Sequence, residues 1–148
     1  MKSINAILLF LCLAALISCG KKDSDAAAGD PIDSDANQLL EKEAWRIHDE
    51  VMPKMGSLYK LKGALQEKIK NAPDMPEEKK TEIQGIIGEL DAAYESMMQW
   101  MRNFKPELHA SSEEETQAYL ENEIESIKKV KTDILDALEK GKAAAEDQ

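Results

Sequence analysis

Residues 83–104 read IQGIIGELDAAYESMMQWMRNF. Ile83, Ile87, Leu90, Tyr94, Met97, Met101 and Phe104 follow one another at steps of three and four. That spacing puts them on one face of an α-helix, and it does not match the period of two that a half-buried strand needs. Lys105-Pro106 supplies the stop. Upstream, Asp74-Met75-Pro76-Glu77-Glu78 supplies the start, with Asp74 or Met75 at the cap, proline in the first turn and acids near the positive end of the helix dipole.

The same period extends to both sides. Residues 37–71 carry Leu40, Ala44, Ile47, Val51, Met55, Leu58, Leu65 and Ile69 on one stripe and stop at Asn71-Ala72-Pro73. A third block opens at Ser111-Ser112-Glu113-Glu114-Glu115, where Ser111 with Glu114 or Ser112 with Glu115 makes a capping box. It continues through Leu120, Ile124, Ile127, Ile134 and Leu138 and fades into Lys142-Ala143-Ala144-Ala145. The expected fold is therefore all-α. Short connections fold consecutive helices back on each other, giving an antiparallel up-down-up three-helix bundle with helices about 40 to 50 Å long. No internal repeat of fixed period stands out.

Pro53 interrupts the first block. It lacks an amide donor and crowds the carbonyl of Asp49, at a cost of about 3 kcal/mol in a helix interior. A kink or a break near Met52 follows. The stripe staying in phase from Ile47 and Val51 to Leu58 favours the kink, while a full break would give four shorter helices.

The N-terminal segment is of a different kind. Met1-Lys2-Ser3 carries one positive charge and precedes an apolar run from Ala6 to Ile17. Such a run, about 12 residues, is too short for the roughly 20 that span a bilayer, so it reads as an export signal and not as a permanent span. The junction Leu16-Ile17-Ser18-Cys19 resembles the lipobox of bacterial lipoproteins. That resemblance implies cleavage by signal peptidase II before Cys19 and lipidation of its thiol, with enough acyl chains for a lasting anchor. Cys12 would leave with the signal and Cys19 would carry lipid, so the mature chain would have no disulfide and would rely on core packing. Residues 20–36 offer almost nothing large and apolar to bury and read as a flexible tether. The expected organisation is a signal peptide over 1–18, a lipidated N-terminus and tether over 19–36, and a helical domain over 37–148.

The net charge of −10, with both signs interspersed, leaves no basic face to displace counterions from phosphate, which argues against nucleic-acid binding. There is no glycine-rich phosphate loop, His-Glu-x-x-His or nucleophile elbow, so the chain is not expected to be an enzyme.

Methionine carries the remaining signal. Five of the six methionines beyond Met1 fall in two clusters, Met52 with Met55 and Met97, Met98 with Met101. His48, Met52, Met55 and Tyr59 follow steps of four, three and four at the edge of the core face. Folding the first two blocks about the turn near Pro73 brings His48 level with Gln99, and so near the second cluster. Imidazole and thioether suit copper(I), so His48, Met52, Met97, Met98 and Met101 form a candidate metal set. Packing explains the same residues, because methionine fills irregular gaps such as the one a proline kink leaves. Spacing puts His109 too far along the rod to join His48, and it puts Trp45, Trp100 and Tyr119 near one level, with Trp100 on the flank of its helix as a possible anchor for a partner.

Lys22-Asp23-Ser24-Asp25 resembles the acidic export signals of Bacteroidetes lipoproteins. The whole mature chain, with IHDEVMPKM at 47–55 and MMQWM at 97–101, resembles small helical lipoproteins of Bacteroidetes, some labelled viral A-type inclusion protein. The resemblance implies lipidation and an envelope location, with the outer membrane favoured over the inner and a periplasmic or surface-facing domain. It implies no viral role, no activity and no site residues. The expected function is a non-enzymatic helical interaction or structural module of the cell envelope, without a resident cofactor and with its partner-binding residues unassigned. The alternative is a copper(I)-binding envelope lipoprotein.

Overall fold

A computed structural model describes residues 31–109 and 111–147. The expected export signal, Cys19 and most of the expected tether lie outside the described residues. Every regular element among the described residues is helical: α1 (Pro31–Val51), a 3-10 turn (Met52–Lys54), α2 (Met55–Asn71), α3 (Glu77–Asn103), a second 3-10 turn (Pro106–His109) and α4 (Glu113–Glu146). None of these helices is long and apolar enough to cross a membrane.

The α-helical ladder is interrupted where Pro53 removes a donor and fills the space of the preceding turn. Residues 52–54 tighten into a 3-10 turn, and the amide of Met55 donates to the carbonyl of Met52. Val51, Met55 and Leu58 are all buried across the interruption, so the core stripe passes through it in phase.

Other boundaries differ from the sequence expectation. Pro31 opens α1 six residues before the expected start at 37; its fixed φ and missing amide suit a first turn. The buried Asn37 then ties this part of α1 to α4, since its Nδ2 donates to the Glu113 carbonyl at 3.1 Å and to Glu113 Oε2 at 2.7 Å. At α3 neither Asp74 nor Met75 is the cap. Pro76 holds that position with no side-chain cap bond, and its carbonyl accepts from Lys80 at 3.0 Å. At α4, Ser112 is the cap, its Oγ accepting from the Glu115 amide at 3.2 Å.

One hydrophobic cluster draws on all four helices. α4 supplies the longest continuous stripe: Leu120, Ile124, Ile127, Val130, Ile134, Ala137, Leu138, Gly141 and Ala144 are buried along about 36 Å of helix. Contacts between helices pair Glu50 with Lys131, Lys68 with Ala144, Lys62 with Asp91 and Lys140 with Glu89. Two aromatic positions reverse their expected burial. Tyr94, on the apolar stripe by spacing, is 36% exposed, whereas Trp100, expected on a flank, is only 4% exposed.

Candidate functional site: the His48–Met101 pair

α1 and α3 make few close backbone approaches, unlike α1 and α4 or α3 and α4. Large side chains fill the space between them, and His48 stands in the middle, 8% exposed. Its Nε2 lies 3.2 Å from Met101 Sδ across the gap, and its Nδ1 lies 2.9 Å from Oδ1 of Asp49.

Aromatic rings pack around the imidazole. Trp100 stacks on the imidazole with centroids 5.8 Å apart, and Trp45 meets the same ring edge-on at 5.3 Å. Trp45 also meets Trp100 and Phe104 edge-on, while Phe104 stacks on Trp100 at 4.6 Å. The series continues through Tyr119 to His109, whose rings stack at 4.0 Å. His109 thus touches the outer end of this aromatic row and is separated from His48 by Trp100, Phe104 and Tyr119. The Tyr119 hydroxyl accepts from the Lys105 amide at 2.8 Å and donates to the Asn103 carbonyl at 3.2 Å, fixing the α3–α4 connection. Burial pushes this hydroxyl above its usual pKa against the opposing Lys105 hydrogen bond.

Of the candidate metal ligands, the structure joins His48 and Met101 directly. Met97 has no exposed surface and belongs to the core, and Met98 is half-buried against that core. Met52 lies in the 3-10 turn and is 37% exposed. The expected strip through His48, Met52, Met55 and Tyr59 therefore divides: His48 and Met55 turn inward, and Met52 and Tyr59 face out.

Sequence reasoning missed Asp49 as the partner of His48, because adjacent helical residues ordinarily point apart. It also missed Phe104 as the ring linking Trp45, Trp100 and Tyr119; its place on the apolar stripe was the available signal. Among the described residues no three His, Cys, Asp or Glu side chains converge, so the nitrogen and sulfur donors of this pair lie outside any cage of those types.

On the far side of Trp100 a groove of about 280 Å³ runs between α3 and α4, with Gln99, Asn103, Glu123 and Lys129 on its walls. The Trp100 Nε1–H is buried and has no acceptor within hydrogen-bond distance. Burial pushes the Glu123 carboxyl above its ordinary pKa, and the Trp100 indole and His109 oppose that rise at longer range. No family model, curated protein or solved structure matches this chain.

Proposed function

We propose that this chain is a lipid-anchored protein of the bacterial cell envelope, held through Cys19, whose helical rod is a non-enzymatic interaction or structural module. The carrying observation is the ordered junction Leu16-Ile17-Ser18-Cys19 after a short apolar run. The acidic run at Lys22-Asp23-Ser24-Asp25 favours the outer membrane and the signal reading of residues 1–18.

The rod is read as an up-down-up bundle. Partners on α4 rise in number with those on α1 and α2, from Asn37 with Glu113 to Glu50 with Lys131 and Lys68 with Ala144. Partners on α3 fall, from His48 with Met101 to Lys62 with Asp91. The unbroken core stripe past Pro53 supports a bend within one long arm. Along the outside of that arm Trp45, Met52 and Tyr59 are exposed at steps of seven residues, two helical turns apart. Exposed aromatic and methionine side chains in a line are the surface chemistry that an interaction module offers.

The test is metabolic labelling with a fatty acid in a bacterial host, followed by membrane fractionation. Wild-type chain should incorporate label and sediment with membranes, and Cys19→Ala should do neither. Equal labelling of the variant would overturn the anchor.

A further inference from the structure

We infer that His48 Nε2 and Met101 Sδ form a two-donor seat for copper(I), with Asp49 as the group that orients the histidine. The seat is independent of the anchor proposed above.

The argument begins with where the imidazole proton must be. An ionised Asp49 carboxylate can only accept, so at 2.9 Å from Nδ1 it places the ring proton on Nδ1. In the neutral ring Nε2 then carries a lone pair. Met101 sulfur has no hydrogen and also presents lone pairs, yet the two atoms stand 3.2 Å apart. Two lone-pair-bearing atoms held this close converge on one point, and a soft cation placed there would be bound by both.

The spacing suits an ion. In a site completed by further donors to three or four, metal–nitrogen and metal–sulfur bonds of about 2.0 and 2.3 Å meet near the tetrahedral angle and place their donors about 3.5 Å apart. The observed 3.2 Å is within a few tenths of that, so a small side-chain adjustment would open the seat.

Donor chemistry selects the metal. A thioether is soft, neutral and needs no deprotonation, which favours copper(I) over harder divalent ions. One positive charge on the ion is balanced by the one negative charge of Asp49, which matters because His48 is 8% exposed. A carboxylate on the far nitrogen of a ligating histidine is also the usual outer partner that fixes its tautomer. Met98 stands one turn before Met101 on α3 and is half-buried, so its flexible thioether is the one that would add a third donor. Met97 is enclosed in the core and is not a ligand.

The chain has two tryptophans, and both border His48, so their emission reports directly on the seat. The experiment uses the detergent-solubilised full chain carrying Cys12→Ser and Cys19→Ser, which removes competing thiols. Copper(I) is titrated anaerobically against a chromogenic chelator while tryptophan emission is followed. The parent chain should withdraw one equivalent of copper and change its emission. Met101→Leu, which preserves core volume, and His48→Ala should lose both responses, while Met97→Leu keeps them. Asp49→Asn should weaken affinity about 10- to 100-fold. Circular dichroism of each variant shows that it is folded, with His48→Gln replacing His48→Ala if the latter is not. Failure of the parent chain to withdraw copper, or withdrawal by folded Met101→Leu at parent affinity, overturns the seat and leaves His48 and Met101 as a packing contact.

Discussion

Glu123 faces two opposing demands at once. Burial beside Trp100 disfavours its charge, and the indole and His109 favour it; burial is the larger effect, so the folded-state pKa lies above the ordinary carboxylate value. An acid shifted this way binds more protons folded than unfolded, so its contribution to stability falls as pH rises from the unfolded pKa through the folded one. Glu123→Gln removes that loss. The variant should therefore be more stable than wild type at neutral pH, and the gap should close as pH drops below the ordinary carboxylate range. Paired urea melts across that range check it; a gap that persists at low pH would assign the effect to packing. The same neighbourhood shows what residue-level reading of the sequence reaches. His48 and Met101 were legible as near neighbours because spacing and a simple fold-back fix their level. The burial of Trp100 was not, because it depends on the distance between the α1 and α3 backbones, which no local pattern encodes. Where helices stand apart, a position on the flank of one of them becomes interior, and Trp100 fills it.

At the scale of elements, glycine shows how close the helices come. Gly63, Gly85 and Gly88 sit within helices, and a Cβ built on any of them meets nothing within 4 Å. At Gly141 the added carbon would lie 3.2 Å from Leu61 Cδ1 and 3.3 Å from Leu90 Cδ2, so α4 passes α2 and α3 tightly there. Replacing an open helical glycine by alanine reduces unfolded-chain freedom and should stabilise by about 0.5 to 1 kcal/mol per site. Gly63→Ala, Gly85→Ala and Gly88→Ala should each show that gain in thermal or urea melts. Gly141→Ala should gain less or lose stability, because the two leucines must move. An equal gain at all four sites would show that α4 is not seated as described. Helix identity and most ends were readable, since Asn71-Ala72-Pro73, Lys105-Pro106 and Ser112 with Glu115 act locally. The start of α1 was not, because residues 31–36 carry no large apolar stripe and the nearest tie to α4 is the long-range bond of Asn37 to Glu113. The cap of α3 was displaced to Pro76, where fixed φ −53 and ψ 137 turn the chain into the helix without a side-chain bond.

For the whole molecule the question is whether a helical domain interrupted at Pro53 folds as one unit. The Trp45, His48, Trp100 and Phe104 cluster lies on one side of the interruption, and Leu65, Ile83, Leu90 and Gly141 lie toward the other end of the core. α4 runs past both, continuous from Glu113 to Glu146, and its buried stripe has no gap opposite Met52–Lys54. Separating the two halves would expose Ile127, Val130 and Ile134 near the middle of that stripe. At about 25 cal/mol for each Å² of apolar surface, such exposure strongly favours unfolding together. Residues 31–147, expressed without the N-terminal segment, should therefore melt in one cooperative transition with dominant helix. Far-ultraviolet circular dichroism reports all the helices and tryptophan emission reports the His48 end alone, so the two curves should coincide at one midpoint. If emission changes at a lower temperature than the helix signal, the His48 end opens by itself, and the turn at Pro53 is a boundary between folding units and not a bend within one.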